Sequence, residues 1–131
     1  MLEPDKDLEK IFEHAVQVAS VNKHEFVTLE HFLYSMISHD SFAKILEAFG
    51  TDVKTFREDL ENYISNELKE IVSDDVSKPK KTVSVDRMLN RAFTQVLFSG
   101  RQIISPIDCF ISMFAEKKSH ANYFMRKANI D

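Results

Sequence analysis

Apolar residues recur at spacings of three and four along most of the chain, the pattern of amphipathic α-helices that bury one face. In the first segment, DKDLEKIFEHAVQVASVN, that face consists of Leu8, Ile11, Phe12, Ala15, Val16 and Ala19. The same period predicts a second helix after Thr28, a third that ends at Gly50, a fourth after Asp52, and three more in the second half of the chain. The pattern therefore predicts seven helices.

Two of the predicted helices begin with recognisable capping chemistry. Thr28 is a good N-cap residue, and Glu30 places an acid in the first turn, near the positive end of the helix dipole. Ser105 is followed by Pro106 at the first helical position and by Asp108 three residues after the serine. That combination is typical of a helix start.

A polar stretch, VSDDVSKPKKT at residues 72–82, interrupts the helical pattern. It contains a proline and clustered charge, which is typical of a linker. We therefore divide the single domain into repeat one at 1–71, a linker at 72–83 and repeat two at 84–131.

The two halves align as copies of one unit. When the chain is shifted by 77 positions, residues 8–37 lie on residues 85–114 without a gap, and the cap Thr28 meets the cap Ser105. A two-residue insertion near Lys117 keeps the later apolar positions in register. Because self-similarity at a fixed offset is the mark of repeated structure, we predict an all-α fold made of two four-helix units around a shared core.

The last helix of the second unit is expected to be missing or truncated. In the alignment Asp131 takes the place of Asp52, the residue that starts the fourth helix of the first unit. A second unit without that helix would leave apolar surface uncovered, and such surface is available for a partner.

Composition narrows the classes of function. A formal charge of −4 does not suggest a nucleic-acid groove, and no apolar run approaches the ~20 residues that span a bilayer. The acidic N-terminus is unlike a secretory signal, and the single cysteine, Cys109, suits the cytoplasm. Two glycines are too few for a phosphate-binding loop. We therefore expect no cofactor, no nucleic-acid partner and no membrane partner.

The segment KHEFVTLEH, residues 23–31, holds His24, Glu25, Glu30 and His31 within nine positions. Zinc is the first hypothesis, but the HExxH arrangement is absent and a closed zinc site needs four converging ligands. We expect no metal here, with His31 packed near the first-turn backbone and His24 in solvent. Catalysis is also disfavoured, since no nucleophile has an adjacent base, and Cys109 is expected in the core.

The alignment of the repeats separates the two acids from the core. Glu25 meets Gln102 and Glu30 meets Ile107, so both carboxylates belong to the first copy only. Drift explains many such differences, but two exposed, ionised acids flanking one helix start are suited to charged hydrogen bonds from a partner. Glu30 would in addition stabilise its own helix by ~0.3–1 kcal/mol.

The segment HEFVTLEHFLYSMI, with TVSVDRMLNRAF and SPIDCFISMF beyond the linker, resembles the repeated N-terminal domain of the Clp ATPases. The histidine–acid–phenylalanine start before the T-x-E-H helix is most similar to the ClpA type. The resemblance covers nearly the whole chain. It implies a cytoplasmic, non-catalytic accessory domain of a ring-shaped unfoldase that feeds a peptidase.

The resemblance also implies a partner, the adaptor ClpS, which delivers substrates bearing particular N-terminal residues. The docking positions of the family fall here on Glu25, Glu30, Thr82 and Arg87, with His24 and His31 as additional contacts. Taken from the residues alone, Thr82 needs to be no more than the N-cap of the fifth helix. Arg87 has no acid one helical turn away to pair with.

Two other functions stay open at the level of sequence. The chain could be a free-standing mimic of the domain, for example phage-encoded, that competes for or redirects the adaptor. It could instead capture unfolded chains through an apolar groove. A Walker motif encoded after Asp131 would identify a fragment of an ATPase, and charged docking would weaken at high salt more than groove binding.

Overall fold

Seven α-helices account for most of the structure, a computed structural model that describes residues 2–74 and 78–130. The helices are α1 (Lys6–Val21), α2 (Leu29–Ser38), α3 (Asp40–Ala48), α4 (Val53–Asn66), α5 (Val83–Phe98), α6 (Pro106–Met113) and α7 (His120–Lys127). Four two-residue strands are β1 (Glu3–Pro4), β2 (Phe26–Val27), β3 (Lys80–Lys81) and β4 (Ile103–Ile104), and a 3₁₀ turn covers Lys69–Ile71. The predicted all-α fold is confirmed. Residues 75–77 of the predicted linker, and Asp131, which the alignment placed opposite Asp52, lie outside the described residues.

The helix starts predicted from capping residues are present. Thr28 Oγ1 accepts the backbone N–H of His31, although the contact is long at 3.4 Å. The Ser105 backbone N–H donates to Asp108 Oδ2 at 2.9 Å, and Pro106 occupies the first position of α6. Each contact satisfies a backbone N–H that has no partner within the helix, which is why these residues determine where α2 and α6 begin.

The strands connect the two units crosswise. β1 pairs in parallel with β4, with Glu3 opposite Ile103, and β2 pairs in parallel with β3, with Phe26 opposite Lys80. Each pair thus joins the strand before the first helix of one unit to the strand before the second helix of the other. The same offset of 77 residues relates both pairs, which is consistent with a tandem duplication and a pseudo-two-fold relation. The stretch predicted as a linker, 72–83, therefore contains β3 and reaches the first residue of α5.

Residues with positive φ repeat in the same register. Lys23 (φ 58°) and Gly100 (φ 74°) follow the first helix of each unit, and Gly50 (φ 88°) and Asn129 (φ 62°) follow the third. Left-handed backbone at a helix C-terminus favours glycine or asparagine, so Lys23 is the strained member of the set. The two units thus end equivalent helices with the same backbone geometry.

The core is centred on α2. Eight of its ten residues are buried, and it packs against α1, α3, α4, α6 and α7. An edge-to-face contact between Phe42 and Phe110, with ring centroids 5.1 Å apart, joins α3 of one unit to α6 of the other. A single apolar cluster therefore serves both units, as the sequence predicted. None of the described helices combines the length and the apolar character of a membrane span.

One apolar face is open. In the first unit α4 lies against α2 and α7, but the equivalent groove between α3 and α6, about 430 Å³ in volume, exposes apolar side chains. Phe49 is 83% exposed and Ile111 is 62% exposed. Among the described residues, this groove lies where the alignment of the repeats places the fourth helix of the second unit.

Candidate functional site

Glu25 presents a carboxylate to solvent from a well-anchored backbone. Its side chain is exposed, while its backbone N–H donates to the carbonyl of Ile71 at 2.7 Å. Its own carbonyl accepts the N–H of Lys80 at 2.9 Å. The backbone that carries this carboxylate is therefore held on both sides by the neighbouring segments.

Glu30 does not lie in solvent, so the expectation of two exposed acids is wrong for this residue. It is only 6% exposed, and its Oε2 accepts the backbone N–H of Ala121, in the first turn of α7, at 2.7 Å. The carboxylate of the first unit thus caps a helix of the second. The physical reason is that a helix N-terminus carries unpaired N–H groups and partial positive charge, which a carboxylate satisfies.

The negative charge of Glu30 also affects an aromatic neighbour. Burial, together with the charges of Glu30 and Glu67, raises the pKa of Tyr63 to about 12. The Tyr63 ring packs on His120 and Phe124, so it covers the α4–α7 contact beside the Glu30 cap. Glu30 therefore belongs to the interior of the domain.

His24 and His31 form a buried pair. His24 Nδ1 and His31 Nε2 are 2.8 Å apart, and the backbone N–H of Thr28 donates to His31 Nδ1 at 2.9 Å. Because a backbone N–H can only donate, His31 Nδ1 carries no proton, and the proton of the neutral ring lies on Nε2 and points to His24. Burial, with the charge of His24, lowers the pKa of His31 to about 3.

The histidine pair confirms one prediction and corrects another. His31 packs against the first-turn backbone as predicted, but the expectation that His24 is solvated is wrong, since it is 2% exposed. Neither ring is available at the surface as an additional contact for a partner. Within residues 2–74 and 78–130, no three histidine, cysteine or acidic side chains converge as metal ligands would.

Cys109 lies in the core, as its position on the apolar face of α6 predicted. Burial raises the pKa of its thiol to about 12. The reactive form of a cysteine is the thiolate, so this side chain is unreactive at neutral pH.

Thr82 is brought beside the first unit by the strand pairing. Its backbone N–H donates to the carbonyl of Val27 at 3.2 Å, and its hydroxyl accepts the N–H of Val85 at 3.2 Å as the N-cap of α5. The cap role suggested by the sequence is confirmed. The starts of α2 and α5, 54 residues apart in the chain, are therefore neighbours.

Arg87 lies on the first turns of α5 and has a partner that the sequence analysis missed. Its Nε donates to both oxygens of Glu116 at 3.1 Å, and Arg91 Nη2 donates to the same carboxylate at 2.6 Å. The side chain of Glu116 is 5% exposed, whereas that of Arg87 is 55% exposed. Hydrogen bonds from Arg87 and then Arg91 hold the pKa of Glu116 below its usual value.

A signal for Glu116 was available in the sequence. It directly precedes Lys117, the place where the repeat alignment required an insertion. A break in the register of a repeat marks a local structure that the common fold does not require. Nothing in the sequence, however, connects that position to Arg87, 29 residues earlier.

Replacement of Thr82 by alanine is expected to destabilise the domain by about 1 kcal/mol, because the N–H of Val85 loses its capping acceptor. Thr82→Ser keeps the hydroxyl and is expected to stay within about 0.5 kcal/mol of the wild type. Urea unfolding followed by circular dichroism measures both changes. Equal stability of the alanine and serine variants would contradict the cap role.

Fold and surface together define a class of protein: an α-helical domain of two related units that presents charged side chains where the units meet. Solved structures share this architecture. The Hsp104 N-terminal domain from Candida albicans superposes with a TM-score of 0.85 at 9% identity, covering 98% of this chain and 83% of that one. The N-terminal domain of ClpD from Arabidopsis thaliana gives 0.70 at 16% identity, with 98% and 88% covered.

The chain belongs to the Clp repeat (R) N-terminal domain family, whose family model matches residues 3–128. A ClpA homolog protein of Fuscovulum blasticum is 28% identical over 124 residues, which are 94% of this chain and 16% of that protein. The chain thus spans about a sixth of the length of that relative. The resemblance predicted from the sequence is confirmed, and with it the assignment to the non-catalytic N-terminal domains of Clp ATPases, which in general bind other proteins.

Proposed function

We propose that this domain docks an adaptor of the ClpS type for an ATP-dependent Clp unfoldase–protease, through Glu25, Thr82 and Arg87. The observation that supports the proposal best is the parallel pairing of β2 with β3. This pairing places the exposed Glu25 and the cap Thr82 at one edge, and Arg87 follows one helical turn into α5. In this setting the domain works with a cytoplasmic ATPase ring and its peptidase.

The opposite charges of the two outer residues suit a specific partner. Glu25 can accept charged hydrogen bonds from a lysine or histidine, while Arg87 can donate to an acid or a carbonyl. Complementary charges on either side of a contact determine its orientation and its association rate more than its affinity. An adaptor that carries a basic and an acidic group at matching positions would therefore dock in one orientation.

Glu30 takes a different role in the proposal. Its carboxylate is bound to the N–H of Ala121, so a contact with the adaptor would compete with the cap of α7. We propose that Glu30 supports the docking surface from within by holding α7 in place. Docking through Glu25 therefore does not require Glu30 to be exposed.

Reversal of charge in Glu25→Lys is expected to weaken adaptor binding about tenfold or more, because an attractive contact becomes a repulsive one. Isothermal titration of a ClpS adaptor into the domain measures the change, and circular dichroism verifies that the helices are intact. Glu47→Lys, on the exposed face of α3, is the matched control with the same change in net charge. The docking site would be refuted by wild-type affinity in Glu25→Lys, or by equal losses in both variants.

The groove between α3 and α6 favours a second candidate function, the capture of unfolded chains. Its exposed Phe49 and Ile111 could contact apolar segments of a substrate without any charged group. Salt separates the two candidates, because ionic strength screens charged docking but leaves apolar contact intact. Binding that is unchanged between 0.1 and 1 M salt would favour the groove.

A further inference from the structure

A cationic groove of about 410 Å³ lies between α5 and the connection from α6 to α7. We define it by four basic side chains: Arg87 and Arg91 on one wall, and Lys117 and Lys118 on the other. The buried carboxylate of Glu116 also lines the groove.

Glu116 gives the groove a fixed shape. Its two oxygens accept hydrogen bonds from both arginines, and Arg91 Nη1 also donates to the carbonyl of Ser112 at 2.8 Å. Arg91 is thus tied to α6 as well as to Glu116. A guanidinium that is already oriented loses less freedom when a ligand binds, so the two arginines are preorganised as donors.

The charge of the groove is opposite to that of the molecule. The whole chain carries a formal charge of −4, whereas four basic side chains against one carboxylate leave three excess positive charges here. Composition therefore does not explain the groove. A concentrated patch of opposite sign steers oppositely charged partners toward it.

Comparison of the two units shows that the fold does not require the groove. The alignment places Lys10 and His14 at the positions of Arg87 and Arg91, and His14 bonds Ser35 as Arg91 bonds Ser112. In the first unit, however, a single residue, His39, separates α2 from α3. The two lysines of the groove coincide with the insertion that the second unit alone carries.

We propose that the cationic groove binds an acidic segment of a partner protein, rich in aspartate or glutamate. Arg87 and Arg91 are about 6 Å apart along the helix, close to the roughly 6.6 Å between alternate side chains of an extended peptide. This inference extends the proposed docking surface, because Arg87 belongs to both. In every other respect it does not depend on adaptor docking. Binding of an acidic segment can be measured with no adaptor present.

The test uses a fluorescent peptide of alternating glutamate and serine, with a glutamine–serine peptide of equal length as the neutral probe. Fluorescence anisotropy at low salt is expected to show binding of the acidic peptide only. The double variant Lys117→Glu/Lys118→Glu is expected to weaken binding about tenfold, because two exposed attractive contacts become repulsive. Lys44→Glu/Lys54→Glu, exposed on α3 and α4, makes the same change in net charge at two lysines that do not line the groove.

Three results would overturn the proposal that the cationic groove binds an acidic segment. Wild-type affinity in the Lys117/Lys118 variant is one, and equal weakening in the Lys44/Lys54 variant, which means non-specific attraction, is another. The third is displacement of the peptide by sodium phosphate but not by sodium chloride of equal ionic strength, which means a site for small anions. Glu25→Lys is expected to keep peptide affinity within about twofold, so failure of the adaptor proposal leaves this result unaffected.

Discussion

Acidification from pH 6.5 to pH 4 is expected to lower the free energy of unfolding by about 3 kcal/mol through His31. Burial, followed by the charge of His24, lowers the pKa of His31 to about 3 in the folded domain. In the unfolded chain the ring has its ordinary pKa of about 6.5 and takes up a proton across this range. The unfolded state then binds more protons than the folded state. The free energy of unfolding therefore decreases as the pH is lowered, down to about pH 3.

The hydrogen-bond geometry gives the same direction. His31 Nδ1 already accepts the N–H of Thr28, and its Nε2 faces His24 Nδ1. A second proton on His31 would oppose the Thr28 N–H, and a proton on His24 Nδ1 would oppose the proton on Nε2. Burial also lowers the pKa of His24, so both rings resist protonation.

Urea unfolding of the wild type and of His31→Gln at pH 6.5, 5.5 and 4 measures this effect. Glutamine can still accept the Thr28 N–H in a capping box but does not titrate in this range. Between pH 6.5 and pH 4, we expect the variant to lose about 3 kcal/mol less of its free energy of unfolding than the wild type loses. His120→Gln, at an exposed position, is the matched control for the replacement of one histidine by glutamine. Parallel pH profiles for the wild type and His31→Gln would contradict the assignment.

Replacement of Glu30 by alanine is expected to destabilise the domain by about 2–3 kcal/mol, whereas Glu25→Ala should change stability by no more than about 0.5 kcal/mol. The buried N–H of Ala121 loses its acceptor in the first variant, and α7 loses a negative charge at its N-terminus. Glu25 is exposed, so its removal leaves no buried group unpaired. The two acids look alike in the sequence but differ in this measurement.

Glu30→Gln refines the experiment. The amide keeps an oxygen that can accept the Ala121 N–H but removes the charge. We therefore expect its free energy of unfolding to lie between those of the wild type and Glu30→Ala. If Glu30 supports the surface from within, this variant keeps most of its adaptor affinity when it is folded. A Glu30→Ala variant as stable as Glu25→Ala would show that the carboxylate does not hold α7.

The sequence predicted the features that depend on neighbouring residues, namely the buried faces of the helices and their caps. The spacing of Leu8, Ile11 and Ala15 places one face of α1 in the core, and the cap at Thr28 determines the start of α2. The two-residue insertion near Lys117 kept the later positions of the repeats in register, and in the structure Gly50 and Asn129 follow equivalent helices with the same left-handed backbone. These features are local, because helical periodicity and capping involve residues within about one turn of each other.

The burial and pairing of the charged residues at the site were not predicted from the sequence. The resemblance to the family named Glu25 and Arg87, but sequence reasoning placed Glu30 in solvent and left Arg87 without a partner. Glu30 lies 91 residues from Ala121, and Arg87 lies 29 residues from Glu116. An acid in the first turn of a helix satisfies the rules for an exposed cap equally well whether or not another helix covers it.

The amino-acid order alone therefore determined the seven helices of the described residues, their caps, their duplication and a core shared by the two units. Only the tertiary structure decided which acid faces solvent, which arginines share Glu116, and that the starts of α2 and α5 lie side by side. The reason is physical. Helices form from interactions between near neighbours, whereas the burial and pairing of a charged side chain depend on which distant element packs over it.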